Sequence, residues 1–153
     1  MGILANRDRK RVSVGAVVVL CLFSAMVLDN IIRGPKAKQR VNALDRELRL
    51  IADPKSSNTI SFGSFYKTSN GYAIRIVRTD LGPDEVEAYY EETLQQQGWY
   101  FIKKESFPPK ARSIFCRDGD FEETAILELP NDTAATNYQY SLKIGWGIDY
   151  GCD

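Results

Sequence analysis

The chain contains no histidine. That absence removes Ser-His-Asp and Cys-His nucleophilic arrangements, together with the commonest zinc ligand. No Cys-x-x-Cys pair occurs, so a thioredoxin-like redox motif is excluded. Neither Gly-x-x-x-x-Gly-Lys nor Gly-x-Gly-x-x-Gly is present, which leaves no phosphate-cradling loop. Carboxylates are the only remaining groups with catalytic chemistry, and their settings are bland. The stretch "DGDFEE", residues 118–123, gathers Asp118, Asp120, Glu122 and Glu123. It lacks the spacing of a full calcium loop and reads as a solvated hairpin tip. Glu85, Glu87, Glu91 and Glu92 read as the charged outer face of a helix rather than as a glycosidase pair. No catalytic residue, cofactor or metal ligand is therefore expected, and the chain reads as a binding or structural protein.

What the sequence does hold is uneven. Its 153 residues fit one modest domain plus an appendage. The net charge is zero, yet residues 33–78 carry ten Lys or Arg against three acidic residues. Residues 79–153 carry six Lys or Arg against fifteen Asp or Glu. The acidic half would repel phosphates, so nucleic acid is not an expected partner.

The appendage is the opening "RDRKRVSVGAVVVLCLFSAMVLDNIIRGPK", residues 7–36. A basic tail, 1–11, precedes an apolar run. Val12 to Leu28 holds 17 residues without a charge, and extension to Ile32 gives 21. As a helix the longer segment spans roughly 31 Å, close to a bilayer's hydrocarbon thickness. A cleaved signal peptide would have a shorter core and small residues at its cleavage site, whereas this run ends "SAMVLDN". A buried core helix would show a polar face. The expectation is a single-pass transmembrane helix over 12–32, in contact with the lipid bilayer. Gly15, Ser24 and Ala25 are small but form no Gly-x-x-x-Gly pattern. The basic flanks nearly balance, with Arg7, Arg9, Lys10 and Arg11 on one side and Arg33, Lys36, Lys38 and Arg40 on the other. The tighter abutment of the first group favours a cytoplasmic N-terminus and an extracytoplasmic distal domain.

Residues 33–58 read as a juxtamembrane helix and linker. Gly34-Pro35 is expected to stop or kink the first helix. Val41, Leu44, Leu48 and Ile51 then form one apolar stripe. Packing on the chain's own domain is the first reading of that stripe. A homodimer seam is the second, and contact with anionic headgroups the third.

Residues 59–153 read as an α+β domain: a small antiparallel sheet with one helix packed on it. Strands are expected over 59–68 and 72–79, joined by a type I′ turn at Asn70-Gly71. Ile60, Phe62, Ser64 and Tyr66 share one face of the first strand. Tyr72, Ile74 and Ile76 share one face of the second, with Arg75 opposite. A helix begins at Pro83 and ends at Gly98, with Val86, Tyr89, Tyr90, Thr93 and Leu94 lining one side. "WYFIKKE" is a strand, "SFPPKAR" a loop, and "SIFC" and "FEETAILEL" are strands joined at Asp118-Gly119. The last strand, 137–150, alternates with Tyr138, Tyr140, Leu142, Ile144, Trp146 and Ile148 on one side.

Cys116 and Cys152 form an even pair in the distal domain, a disulfide candidate in an exported protein. The competing reading is two separate buried thiols. Trp99, Tyr100 and Phe101 cannot all point inward from one strand, so an aromatic partner site is expected. Its candidates are Trp99, Tyr100 and Trp146, with Asp118 and Asp120 as an acidic rim. In outline the layout resembles that of type IV pilins: an apolar N-terminal helix, an amphipathic helix, a sheet and a C-terminal disulfide. The run lacks a Glu at its fifth position and a Gly-Phe junction before it. That resemblance implies an envelope-assembly role as the alternative to a partner-binding module.

Overall fold

The computed structural model describes residues 4–118, 122–132, 134–147 and 152, with the side chains of 4–14, 26, 29 and 30 outside the described set. The chain divides into two compact units, Met1–Lys36 and Ala37–Asp153. Helix α1 is Leu4–Leu50. It continues through Gly34-Pro35 instead of stopping there. Pro35 removes one backbone donor and costs about 3 kcal/mol within a helix. Burial just beyond it, at Ala37, Val41, Leu44 and Leu48, holds the following turns helical.

In the first unit, Val17, Val18, Val19, Leu20, Leu22 and Phe23 are exposed, as are Val27, Leu28, Ile31 and Ile32. Among the described residues no helix is long and apolar enough to cross a membrane. The expected span 12–32 includes Val12, Ser13, Val14, Met26, Asp29 and Asn30, whose side chains lie outside the described residues.

The second unit is α+β. Its strands are β1 (Ser57–Tyr66), β2 (Gly71–Thr79), β3 (Tyr100–Phe107), β4 (Lys110–Arg117), β5 (Glu123–Pro130) and β6 (Tyr138–Trp146), with helix α2 (Pro83–Gln95) between β2 and β3. All six form one antiparallel sheet in the order β1-β2-β6-β5-β4-β3. β1–β2, β3–β4, β4–β5 and β5–β6 pair as neighbours in sequence, whereas β2 and β3 do not, and β6 returns to lie between β2 and β5.

Strand alternation sorts the faces. Ala73 and Val77 of β2, Leu142 and Ile144 of β6, and Ala125 and Leu127 of β5 are buried in one cluster with Val41, Leu44 and Leu48 of α1 and Val86, Tyr90 and Leu94 of α2. The stripe on α1 is thus spent on its own domain. Each fully buried Leu, Ile or Val contributes roughly 1.5–3 kcal/mol. On β2 the buried face is the one that carries Arg75, while Ile74 and Ile76 stand half-buried on the opposite face.

Helix α2 starts as its sequence dictates. Pro83 occupies the first turn, and the Glu85 carboxylate accepts the Gly82 N–H at 2.9 Å. It ends at Gln95, and Gly98 closes the turn beyond it with a φ of +84° that lets the Trp99 N–H reach the Leu94 carbonyl at 3.0 Å.

Two turns differ from expectation. The β1–β2 hairpin turns at Thr68-Ser69, closed by Lys67 N–H to Asn70 O at 2.7 Å, and not at Asn70-Gly71. Gly71 is required for another reason: a Cβ there would lie 2.3 Å from the Trp146 ring. The β3–β4 hairpin needs only Pro108-Pro109, so "SF" and "KAR" belong to strands that pair Phe107 with Lys110. Gly119, Ile148 and Tyr150 lie outside the described residues.

Cys116 and Cys152 are bonded, with their Cα atoms 5.8 Å apart. Thr124, the ladder partner of Cys116, meets the Cys152 Sγ at 3.3 Å.

Candidate functional site

The expected aromatic site separates into a buried half and an exposed half. Trp99 and Trp146 are only 2% and 6% exposed, so neither offers a ring to a partner. Each is capped by an arginine. The Arg117 guanidinium lies 4.3 Å from the Trp99 ring centre, and Arg40 lies 4.7 Å from that of Trp146. Arg117 reaches Glu47 at 2.5 Å and Glu123 at 2.5 Å, and Arg40 reaches Glu123 at 3.4 Å. The bond to Glu47, with that to Glu123, holds the Arg117 pKa above its usual value against the opposing effect of burial. Two Arg–Trp stacks and two glutamates thus fasten the buried part of α1 to β4, β5 and β6.

Tyr100 is 40% exposed and donates to Asp118 at 3.1 Å. Phe101 beside it is likewise exposed. This pair matches the steric argument that the "WYF" triplet cannot bury all its rings. Asp118 is exposed, and Asp120 lies outside the described residues. The structure therefore joins Tyr100 with Asp118 and removes Trp99 and Trp146 from the surface.

A second polar cluster had no local signature. Arg75, 2% exposed, donates to the Ile51 carbonyl at 2.5 Å and to the Tyr90 hydroxyl at 3.0 Å, and pairs with Asp53 at 3.2 Å. The Tyr90 and Tyr140 hydroxyls are 3.1 Å apart, and Thr59 donates to Asp53 at 2.6 Å. Arg75 thereby satisfies a carbonyl left open where α1 ends. Burial pushes the Tyr90 hydroxyl far above its ordinary value and raises Tyr140 to about 12. Both stay neutral, so the cluster serves as a lock between α1, α2, β2 and β6. One hint lies in the sequence: Arg75 interrupts the run Tyr72–Val77, which is otherwise apolar or aromatic.

Several carboxylates are engaged in structural bonds. Glu87 accepts from Lys104 and Ser113. On Glu128, burial pushes the pKa up, but bonds from Arg112 and Lys110 outweigh it and hold the carboxyl below its usual range. Among the described residues no group of three or more His, Cys, Asp or Glu is placed to hold a metal ion. A groove of about 490 Å³ opens where β5 and β6 part beyond the Glu128–Ser141 pair, lined by Ile74, Ile76, Lys110, Glu128 and Tyr138 among others. Lys110 and Glu128 bond to each other at 3.3 Å there.

Compared with family models, curated proteins and solved structures, the chain matches none.

Proposed function

We propose that the protein is a single-pass membrane-anchored, non-catalytic binding or accessory module. Its domain of residues 37–153 lies outside the cytoplasm and engages a protein partner, as an inhibitor, an immunity-type protein or a complex subunit does. One observation carries the reading. Residues Val17 to Leu20 are exposed and apolar at four successive positions, which circle the helix, and Leu22, Phe23, Val27, Leu28, Ile31 and Ile32 continue the pattern. Apolar side chains exposed on every side of a helix call for apolar surroundings. Its basic flanks and the length of the run 12–32 suit a bilayer. The Cys116–Cys152 bond suits an oxidising compartment.

Carbonate washing of membranes tests the anchor. The intact chain is expected in the pellet, and recovery of the full-length chain in the aqueous phase overturns the reading. Protease added to intact cells or spheroplasts tests the side, with digestion of the distal domain expected.

A second reading, an envelope-assembly component with a pilin-like layout, draws on one feature. The end of α1 packs on an antiparallel sheet closed by a disulfide near the C-terminus. Protein that keeps its intact N-terminus and never forms filaments dismisses it.

A further inference from the structure

The two edges of the sheet are built differently. Edge strand β3 carries Lys103, Lys104 and Glu105, has a bulge between Phe101 and Lys103, and runs into Pro108. Charge, bulge and proline are devices that discourage pairing with another chain. Edge strand β1 lacks them over most of its length. No charged residue or proline occurs from Ser56 to Tyr66. Its one bulge lies between Thr59 and Ser61, leaving Ser61–Tyr66 in unbroken register with β2. Ile60, Phe65 and Tyr66 are exposed.

The hydrogen-bond phase gives that edge a polarity. Lys67 and Asn70 form a bonded pair in the ladder. Bonded and non-bonded pairs alternate in antiparallel sheets, so Phe62, Ser64 and Tyr66 direct their backbone N–H and C=O groups away from β2. Three residues thus direct backbone groups outward along an uncharged stretch of strand.

Charge selects the occupant. Residues 49–79 hold Arg49, Lys55, Lys67, Arg75 and Arg78 against Asp53 alone. Asp53 is taken by Arg75. Lys55 and Lys67 are exposed at opposite ends of β1. A second copy pairing edge to edge would bring together two edges that each carry exposed Lys55 and Lys67. An extended segment with acidic flanks meets both lysines favourably.

We infer that β1 is a docking edge for an extended, acid-flanked segment of a protein partner, which joins the sheet as a further strand. This rests on the binding-module reading and adds to it the surface and the chemistry of the partner.

The test uses the full-length chain in detergent micelles and a labelled peptide of alternating Thr and Val with two Glu at each end. The peptide is expected to bind saturably and to slow amide exchange at Phe62, Ser64 and Tyr66. A version with Lys in place of Glu should bind about tenfold more weakly. Ser64→Pro removes an outward N–H that the ladder does not use, so the fold should hold and binding should fall by about tenfold or more. A peptide N-methylated at alternate residues tests the same bonds on the unaltered protein and should lose binding equally. No exchange protection on β1, or equal binding of the Lys-ended peptide, overturns the proposal. So does self-association that Ser64→Pro abolishes, which would give the edge to a second copy. A partner cross-linked in intact cells as efficiently by the Ser64→Pro chain as by the natural one overturns the edge and leaves the binding module standing.

Discussion

The two parts of helix α1 place their apolar residues in opposite ways. Between residues 17 and 32, valine, leucine, isoleucine and phenylalanine are exposed all round the helix. Between 37 and 51 only Ala37, Val41, Leu44, Leu48 and Ile51 are buried, along one stripe, while Asn42, Arg46 and Arg49 face outward. Composition already separates them, since 37–51 holds six Lys, Arg, Asp or Glu and 17–32 holds only Asp29. Periodicity adds the reason, because a stripe can be satisfied by a sheet, whereas apolar side chains exposed on every side of a helix call for a solvent of their own kind.

The same substitution in each part should break this comparison most sharply. Leu48→Lys places an unpaired charge at a fully buried position of the core. It should cost at least about 4 kcal/mol and unfold the domain, seen as loss of the cooperative thermal transition. Cys116→Ser opens a loop spanning 36 residues of sequence separation. It should lower stability by about 3–4 kcal/mol in the chain-entropy model, measured by denaturant titration. Val19→Lys should leave the domain's melting unchanged and weaken membrane insertion by about 2.5–3.5 kcal/mol, read as partial release on carbonate washing. An equal loss of domain stability in Val19→Lys and Leu48→Lys would erase the distinction between the two parts.

Finer changes sharpen the buried side. Arg117→Ala removes the cap on Trp99 and the bonds to Glu47 and Glu123. Since Arg117 is partly exposed, the expected loss is about 1–2 kcal/mol, and Arg117→Lys should restore only part of it. At alkaline pH the tyrosine lock gives a separate signature. Tyr140 is raised, chiefly by burial, from 10.0 to about 12. Its neutral form is the folded one, so its contribution is complete below pH 10 and is lost as pH rises towards 12. Ultraviolet titration of phenolate should show delayed ionisation that coincides with unfolding, and Tyr140→Phe should remove part of that coincidence.

Much of the fold was legible where a pattern was local. The stripe Val41, Leu44, Leu48 and Ile51, the start of α2 at Pro83 and the turn at Gly98 just past its end are read from neighbours a few residues apart. The Cys116–Cys152 pairing followed from counting cysteines. The face of β2 was not legible by hydrophobicity, since Ile74 and Ile76 outweigh Ala73 and Arg75 on any scale. Arg75 is buried because α1 ends above it with an open carbonyl, a demand made by a distant segment. By local pattern Trp99 and Trp146 look partner-facing, because Gly145 and Gly147 leave room beside Trp146 and a crowded aromatic strand cannot bury every ring. Their covers, Arg117 and Arg40, arrive from elsewhere in the chain. Gly71 looked like a turn residue, yet it makes room for the Trp146 ring, a packing contact that no local motif announces.

The bond between Cys116 and Cys152 has a consequence for damage. A protease that nicks the backbone once between these two positions divides the chain but not the molecule. The severed piece stays covalently fastened to the remainder, so a cut hairpin would go undetected on a gel run without reductant and appear as two fragments only once thiol is added.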